Sequence, residues 1–557
     1  MSALLQHGVT AQAQARADAT ALVFKGARLS YGALEQLSNQ LARALRDAGC
    51  RRGDRVGLLM PKMPSAIVAM LGALKADAIY VPLNPADPQA RLAHVLKASD
   101  CRCILAAGSV APVLRELLST KTPGQRPAIG WLDDQVAPPA DPAPAFALRD
   151  LAGYAATPPA CANTGSDVAH ILFTSGSTGV PKGVMITHAS IEHLIQWARG
   201  RFGILPADRI SQHSPLRFDV STFDIFGALW SGAELHLVPP ELNLLPHKLA
   251  QLMRDARLTQ WFSVPSVLNL MAKFDVVRQG DFPQLRRMMF AGEVLPTPTL
   301  TYWMRRLPHA QFTNLYGPTE TTIVSSYYTV PRCPADERAP IPIGTACDGE
   351  ELLVLDDELR PAAQDEIGEI CIRGVGVSPG YWRDPEKTRA AFLPLPGGAG
   401  PQDRIYRTGD LGRRAADGLL YYVGRADTQI KSRGYRIELG EIETALHSLP
   451  GLRESAVVAI KSEGFEGWLI CCAYVPASNN GVTAESLRKG LAGIVPGYML
   501  PARWMRYDVL PKNDNGKFDR PQLRDAFRNA ESRPVRAQVE APSPADVGGM
   551  DRRVGAA

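Results

Sequence analysis

The chain has 557 residues, of which 45% are hydrophobic and 21% charged, a composition typical of a globular protein with more than one domain. The formal net charge of +5 is small for this length, and no dense basic run with interleaved aromatic residues occurs, which argues against a nucleic-acid-binding protein. No apolar stretch reaches the ~18 residues of a membrane helix, and the N-terminus lacks the pattern of a signal peptide. The nine cysteines lack CxxC spacing and are typical of reduced thiols, so we expect a cytoplasmic protein that does not bind membranes.

The first part of the chain alternates predicted helices with short apolar segments. Leucines at helical spacing after Ser30, a candidate N-cap, predict a helix over residues 29–50. Strand-like segments at 55–60 and 78–83 flank a helix predicted for residues 66–75. This alternation predicts parallel α/β layers.

The pattern changes further along the chain. Residues 134–166 are rich in Ala, Pro, Asp and Gly and predict a surface connection of low order. A strand at 169–174 runs into a Gly/Ser/Thr loop, and strand–helix alternation then continues to about residue 340. Short strands with turns predict a β-rich subdomain over residues 341–424, and residues 428–525 predict a separate α+β unit.

The strongest local motif is TSGSTGVPKG, over residues 174–183. Its glycines allow the backbone N–H groups to approach an anion, its hydroxyls add donors, and Lys182 adds positive charge, which suits a polyphosphate. The motif does not fit the GxxxxGK[ST] pattern of P-loops. By composition alone, a flexible polar turn is an equally good interpretation.

The order of residues in this motif resembles the phosphate loop of the acyl-adenylate-forming superfamily, which includes acyl-CoA synthetases, luciferases and the adenylation domains of non-ribosomal peptide synthetases. Four further segments match in the family's order: LYGPTETT (315–322), YRTGDLGR (406–413), GRADTQIKSRGYRIELGEIE (424–443) and NGKFDR (515–520). The resemblance covers about residues 10–525 and is nearest to a stand-alone amino-acid adenylation enzyme.

The resemblance implies that the cofactors are ATP and Mg²⁺ and assigns the nucleotide-binding residues. Tyr316 would stack on adenine, Asp410 would accept hydrogen bonds from the ribose hydroxyls, and Arg425 would contact the ribose and phosphate. An isolated Asp410 could equally be a turn residue or a helix cap. The full predicted set is Thr174, Ser175, Gly176, Ser177, Thr178, Gly179, Lys182, Ala291, Gly292, Glu293, Tyr316, Gly317, Thr319, Asp410, Arg425 and Lys517.

Three residues are predicted to be catalytic by resemblance: Thr174, Glu320 and Lys517. Glu320 would help to hold Mg²⁺, which favours hard oxygen ligands and bridges phosphates. The reaction is an in-line attack of a carboxylate on the α-phosphorus of ATP, and the Lys517 ammonium would stabilise the charge that builds on the phosphoryl oxygens. Taken alone, either side chain could be an ordinary solvated charge.

The family uses a mobile C-terminal domain that closes one way for adenylation and rotates for thioester formation. By resemblance, Asp427 is the hinge, and Lys431 and Gly434 lie on the face used in the second half-reaction. The predicted fold is therefore α/β: a large N-terminal domain (1–426) of layered α/β subdomains plus a β-rich subdomain, a small mobile α+β C-terminal domain (427–530), and a disordered tail (531–557).

Within the superfamily, RFDVSTFDIFGALWSGAEL (217–235) resembles the amino-acid-activating branch. There, an aspartate at the position of Asp219 pairs with the α-ammonium group of the substrate, and a buried carboxylate needs such a partner. Alternatively, Asp219 caps a helix that begins at Ser221 or Thr222.

The family's pocket positions predict a small apolar substrate site. They contain no charged or hydrogen-bonding side chain besides Asp219, so a polar substrate side chain would go unpaired at a cost of about 1–3 kcal/mol. Bulky side chains leave little room, which favours a small neutral amino acid, with proline or alanine as the leading candidates. Each apolar residue could equally be ordinary core. The predicted lining is Asp219, Val220, Phe223, Phe262, Met289, Ala291, Leu315, Ile323 and Val324.

The expected acceptor is the phosphopantetheine thiol of a separate acyl or peptidyl carrier protein, or less favourably coenzyme A. No segment after Arg520 resembles a carrier domain, so we expect a free-standing amino acid–carrier-protein ligase of natural-product biosynthesis. An acyl- or aryl-CoA ligase is the alternative, and Asp219 would be dispensable in it. A non-catalytic binding protein is disfavoured because Lys517, Glu320 and Asp410 are all present. One departure from the family pattern is Asp77, where the family has glycine.

Overall fold

The structure is a computed structural model that describes residues 4–119, 122–176, 181–395, 403–462, 467–478, 482–513 and 518–531. Some predicted site residues lie outside these ranges: Ser177, Thr178 and Gly179 of the phosphate loop, and Lys517. Nearly all of the predicted tail (531–557) also lies outside them, so the prediction of disorder there stays a prediction.

The first half of the chain alternates helices and strands as predicted. Its elements are α1 (Leu5–Ala15), β1 (Thr20–Phe24), β2 (Ala27–Ser30), α2 (Tyr31–Asp47), β3 (Arg55–Leu59), α3 (Pro64–Lys75), β4 (Ile79–Leu83), α4 (Gln89–Ser99), β5 (Cys103–Ala106), α5 (Ala111–Leu118), β6 (Ala128–Trp131), β7 (Phe146–Ala147), β8 (Val168–Thr174), β9 (Lys182–Thr187), α6 (His188–Phe202), β10 (Arg209–Gln212), α7 (Val220–Ser231) and β11 (Glu234–Leu237). Strands β3 to β9 form a seven-stranded sheet in the order β7-β6-β5-β3-β4-β8-β9, parallel except for the β8–β9 pair.

A second large sheet continues from these strands. The next elements are α8 (Pro246–Asp255), β12 (Gln260–Ser263), α9 (Pro265–Lys273), β13 (Arg287–Ala291), α10 (Thr297–Arg306), β14 (Gln311–Tyr316), β15 (Ser326–Thr329) and β16 (Thr345–Ala346). The sheet has nine strands in the order β16-β15-β14-β13-β12-β10-β11-β1-β2. Strands β10, β12, β13 and β14 are parallel, so their carboxyl ends meet at one edge, where α/β proteins place their ligands.

The predicted β-rich subdomain is confirmed. It contains β17 (Glu350–Leu355), β18 (Gly368–Gly374), α11 (Pro385–Ala391), β19 (Phe392–Pro394), β20 (Arg404–Arg414) and β21 (Leu420–Arg425). These strands form an antiparallel sheet in the order β17-β18-β20-β19, and β21 pairs with β20.

The last part of the chain has the mixed α+β composition that its sequence predicts. It contains β22 (Gln429–Ser432), β23 (Tyr435–Glu438), α12 (Leu439–His447), β24 (Leu452–Lys461), β25 (Trp468–Pro476), α13 (Ala484–Ala492), β26 (Arg503–Arg506) and α14 (Arg520–Glu531). Strands β22 and β23 form a hairpin of their own, and β24, β25 and β26 form a small sheet that packs against α12 and α14. The boundary at residue 427 stays a prediction.

Local sequence explains two connections. The Ser30 hydroxyl accepts a hydrogen bond from the Ala33 N–H at 3.2 Å, which confirms it as the N-cap of α2. Asp77 has a φ of 61°, in the left-handed region that favours glycine but tolerates aspartate. Its carboxylate accepts hydrogen bonds from the backbone of Ala162 and Asn163 and pairs with Arg46 at 3.1 Å. The departure from the family glycine therefore ties the connection before β8 to helix α2.

Asp208, just before β10, is fully buried and provides a test of the core. Its carboxylate accepts hydrogen bonds from buried Arg287 at 2.7 Å and from the Leu205 N–H at 2.8 Å, and it contacts Arg286. We expect Asp208→Ala to lower the free energy of unfolding by about 3 kcal/mol because the Arg287 charge would remain buried without a partner. Urea unfolding measures this. Arg286→Ala is the control: its side chain is half-exposed, so a loss as large as that of Asp208→Ala would contradict the explanation.

Candidate active site

The carboxyl ends of β8, β10, β12 and β13 open into a cavity of about 570 Å³. A second cavity of about 740 Å³ lies on the other side of Gly292, Gly317 and Arg425, which line both. Predicted residues that line the first cavity are Thr174, Ser175, Asp219, Val220, Ala291, Thr319, Asp410, Lys431 and Gly434. Predicted residues that line the second are Glu293, Leu315, Tyr316, Asp427 and Lys431. The fold therefore brings most of the motif residues, far apart in sequence, to one place.

The phosphate-loop motif connects β8 to β9. Thr174 is the last residue of β8 and Lys182 the first of β9, and the two are paired across the strands. The Lys182 ammonium contacts the Tyr381 hydroxyl at 2.9 Å and a Glu320 carboxylate oxygen at 3.1 Å. The Thr174 hydroxyl is buried and has no hydrogen-bond partner within the described part of the chain. It is available to a ligand at the start of the loop.

Glu320 is completely buried and fully engaged. One of its oxygens contacts Lys182 and accepts a hydrogen bond from the Tyr381 hydroxyl at 3.0 Å, and the other accepts one from the Arg436 guanidinium at 2.8 Å. Burial by itself would raise the pKa of Glu320, but the charges of Arg436 and Lys182 hold it well below its ordinary value. The carboxylate is therefore ionised at neutral pH.

This donor set fits a magnesium ion that is bound together with phosphates. Glu320 supplies one ionised carboxylate and Thr174 one free hydroxyl, both hard oxygens. Among the described residues, no group of three His, Cys, Asp or Glu side chains could enclose a metal. A Mg²⁺ held here would keep most of its water and phosphate ligands, and it would neutralise charge on the polyphosphate.

Asp410, on β20, is held between three partners and is almost completely buried. It accepts hydrogen bonds from the Tyr316 hydroxyl at 2.8 Å and from Arg425 at 2.7 Å, and Lys431 lies 3.6 Å away. Burial opposes ionisation, but Lys431 and Arg425 lower the pKa of Asp410. An ionised, immobilised carboxylate beside an aromatic ring suits a ribose with its attached base.

Asp219 lies at the start of α7, where it serves as the N-cap. Its carboxylate accepts hydrogen bonds from the Val220 N–H at 2.8 Å and from the Thr319 hydroxyl at 2.6 Å. Burial raises its pKa, and no cation in the described ranges forms an ion pair with it. The helix-cap interpretation and the substrate interpretation are therefore compatible, because the capping carboxylate also faces the cavity.

Most of the predicted pocket residues form a closed apolar cluster behind Asp219. The rings of Phe223 and Phe262 meet edge to face at 5.3 Å. Of the predicted apolar residues, Val220 and Ala291 line the first cavity. The cluster contains Phe223, Phe262, Met289, Ala291, Leu315, Ile323 and Val324, with Leu194, Trp197, Ala198 and Cys347.

The structure corrects the predicted role of Phe262. Its side chain packs in the cluster, and the next residue, Ser263, lines the first cavity instead. Successive side chains of a strand point to opposite faces, so a prediction displaced by one residue reverses the direction of the side chain.

The β22–β23 hairpin lies directly against this site. The Gly434 N–H donates a hydrogen bond to Glu293 at 2.8 Å. Gly434 has a φ of 78°, and a Cβ at this position would lie 2.7 Å from Val264, so no other residue fits. Asp427, the predicted hinge, accepts a hydrogen bond from Arg425 at 2.7 Å. The sequence prediction missed Arg436, whose only sequence signal was its place two residues after Gly434 in a matching motif.

Glu350 lies beside the apolar cluster and predicts a pH dependence of stability. One of its oxygens accepts a hydrogen bond from the Gly376 N–H at 2.7 Å, the other is buried without a partner among the described residues, and burial raises the pKa of Glu350 to about 8. Between about pH 4.5 and 8 the folded protein retains a proton that the unfolded chain has lost. We therefore expect this group's contribution to the free energy of unfolding to fall as pH rises, by at most about 1.4 kcal/mol per pH unit.

Urea unfolding at pH 5, 6, 7 and 8 measures this dependence. Glu350→Gln should flatten it, whereas Glu351→Gln should leave it unchanged because Glu351 is half-exposed and paired with Arg373 at 3.1 Å. An identical pH slope in the wild type and in Glu350→Gln would contradict the assignment.

Comparison with known proteins locates the chain among nucleotide-dependent enzymes. The family model described as "AMP-binding enzyme" matches residues 9–382, and the model described as "AMP-binding enzyme C-terminal domain" matches residues 441–517. Phosphinothricin tripeptide synthetase PhsC of Streptomyces viridochromogenes is 36% identical over 520 residues, which are 93% of this chain and 45% of that protein. The chain spans less than half the length of each curated relative compared here, down to 6%.

Two solved structures share the fold over nearly the whole chain. The Vibrio cholerae adenylation domain AlmE, in complex with glycyl-adenosine-5'-phosphate, has a TM-score of 0.81 and 26% identity and covers 94% of this chain and 98% of that one. Holo-PA1221, a non-ribosomal peptide synthetase protein containing adenylation and PCP domains, has a TM-score of 0.77 and 27% identity, with 94% and 84% covered. Within the described ranges, no helix combines the length and the hydropathy needed to cross a bilayer.

Proposed function

Because the chain belongs to the AMP-binding enzyme family, we propose that it uses ATP to activate a small neutral amino acid, with proline or alanine as the leading candidates. The product would be an aminoacyl-adenylate, and pyrophosphate would be released. In a second step, the aminoacyl group would pass to the phosphopantetheine thiol of a separate carrier protein, and AMP would leave.

The observation that carries the amino-acid assignment is the position of Asp219. Its carboxylate borders the cavity and lacks a cationic partner among the described residues, while Thr319 and the Val220 N–H hold it in place. A substrate ammonium group would provide the missing charge. The peptide synthetase PhsC and the glycyl-adenylate complex of AlmE support the same substrate class.

The closed apolar cluster supports a small side chain. Phe223, Met289 and Phe262 are completely buried and pack against one another behind the cavity. Because a packed interior yields only at a cost of about 1–3 kcal/mol for each overpacked site, large side chains would be rejected. A polar side chain would be left without partners.

The remaining residues can be given roles in the two steps. The substrate carboxylate would attack the α-phosphorus, and the bond to pyrophosphate would break. The Thr174 hydroxyl and Lys182 would hold phosphate oxygens, Glu320 would hold Mg²⁺, and Lys517 would stabilise the transition state. Asp410, Tyr316 and Arg425 would orient the nucleoside. A carrier protein as acceptor is supported by PA1221, in which adenylation and PCP domains occur together.

Substrate-dependent ATP–pyrophosphate exchange tests this proposal. The purified protein is assayed with glycine, alanine, proline, larger amino acids, and fatty and aryl acids. We expect strong exchange with one small neutral amino acid. Exchange with fatty or aryl acids alone would overturn the proposal and favour the alternative, an acyl- or aryl-CoA ligase.

A further inference from the structure

The β22–β23 hairpin and the start of α12 occupy groups that the proposed function assigns to MgATP. Gly434 binds Glu293, Lys431 lies beside Asp410, and Arg436 binds Glu320. The Arg436 carbonyl also accepts a hydrogen bond from the Ser175 hydroxyl at 2.7 Å. The hairpin therefore contacts the phosphate loop and three carboxylates around the site at once.

Helix α12 adds an independent contact with the same loop. Glu441 accepts a hydrogen bond from the Gly176 backbone N–H and pairs with Arg91 of α4 at 2.7 Å. Backbone N–H groups at the start of a phosphate loop are the donors that a polyphosphate would use. In this arrangement, one of them is bound by a carboxylate of the C-terminal part.

Glu320 has no room for a further cation. Its two oxygens are shared by Lys182, Tyr381 and Arg436, and the carboxylate is completely buried. A Mg²⁺ ion needs a free lone pair on a carboxylate and is repelled by nearby positive charge. Lys182 comes from the same domain as Glu320, so Arg436 is the cation that can leave with the hairpin.

We propose that Arg436 takes the place of Mg²⁺ on Glu320, so that docking of the β22–β23 hairpin and binding of MgATP exclude each other. Arg436 is a positioning residue: it holds the hairpin in the site after the metal has left with pyrophosphate. This inference rests on the proposed function for the assignment of Glu320 to magnesium. It adds an order of events, in which the hairpin docks only when the metal site is free.

Linkage gives the direction of the effect. A ligand that binds one of two arrangements has an apparent affinity reduced by the population of the other. Removal of the Arg436 charge weakens the docked arrangement and therefore strengthens binding of MgATP. In contrast, if Arg436 simply attracted the phosphates, its removal would weaken binding of ATP.

Isothermal titration of the full chain with ATP, without amino acid, distinguishes these outcomes. In excess Mg²⁺ we expect Arg436→Met to bind ATP about 10-fold more tightly than the wild type. In EDTA the gain should disappear or become a loss. Arg488→Ala, which removes an exposed charge on α13, should bind as the wild type in both conditions. Arg436→Gln is the second variant, and circular dichroism checks that both are folded.

Equal or weaker binding of MgATP by both folded Arg436 variants would overturn the inference, and so would an equal gain in EDTA. Absence of binding by the wild type and by both variants would also overturn it, because removal of Arg436 would then free no metal site. Failure of the proposed function is separate: it would appear as MgATP binding without exchange for any amino acid.

Discussion

Replacement of Asp219 by alanine is expected to lower amino-acid-dependent ATP–pyrophosphate exchange by about 1,000-fold. The cavity offers the substrate ammonium group this carboxylate, and its pKa is raised by burial because no cation in the described ranges pairs with it. Loss of one partner of a desolvated charge pair costs about 2–5 kcal/mol, and each 1.36 kcal/mol is a factor of ten in rate. The measurement is kcat/KM for the preferred amino acid.

Asp219→Asn separates the substrate role from the helix cap. Asparagine retains an oxygen for the Val220 N–H and the Thr319 hydroxyl but has no charge. We expect it to keep the thermal stability of the wild type and to lose nearly as much exchange as Asp219→Ala. Both variants should bind MgATP normally. Full exchange in Asp219→Asn would show that the carboxylate acts only as a cap.

Replacement of Glu320 by glutamine is expected to lower adenylate formation by a similar factor of about 1,000, since a metal that neutralises phosphate charge contributes several kcal/mol. The amide would also leave the Lys182 and Arg436 charges without their buried counter-ion. We therefore expect a lower thermal unfolding temperature as well. Pyrophosphate exchange over a range of Mg²⁺ concentrations measures the first effect, and calorimetry measures the second.

Tyr381→Phe is the matched control for Glu320. It removes the hydroxyl that donates to Glu320 at 3.0 Å but keeps the charge of the carboxylate. A loss of less than about 10-fold is expected, because one hydrogen bond to a charged group contributes about 1.5–3 kcal/mol at most. If Glu320→Gln retained exchange within a few-fold of the wild type while folded, Glu320 would not be the metal ligand.

Much of the fold could be predicted because its signals are local. The Ser30 cap and leucine spacing predicted α2, and a short apolar run predicted β3. The change to short strands predicted the β-rich subdomain. The family resemblance predicted from five motifs is confirmed by family matches at residues 9–382 and 441–517. The roles of individual site residues, the domain boundaries and the preference for proline or alanine stay predictions.

Other features depend on contacts between distant residues and carry no local signal. The connection predicted over residues 134–166 contains the short strand β7, because its backbone pairs with β6. Phe262 was predicted to line the pocket, but the alternation of β12 directs it into the apolar cluster and places Ser263 at the cavity. An apolar residue in a motif predicts burial; the register of the strand decides which side it faces.

The sequence by itself determined the class of chemistry, because the motif residues that suit phosphate, ribose and metal are short, ordered patterns that can be read without coordinates. Only the tertiary structure decided which charges meet. Arg436 and Glu320 are 116 residues apart, and so strong a pairing arises because burial removes water from both groups and leaves each as the other's counter-ion. The competition between hairpin and metal follows from that burial, and no pattern along the chain encodes it.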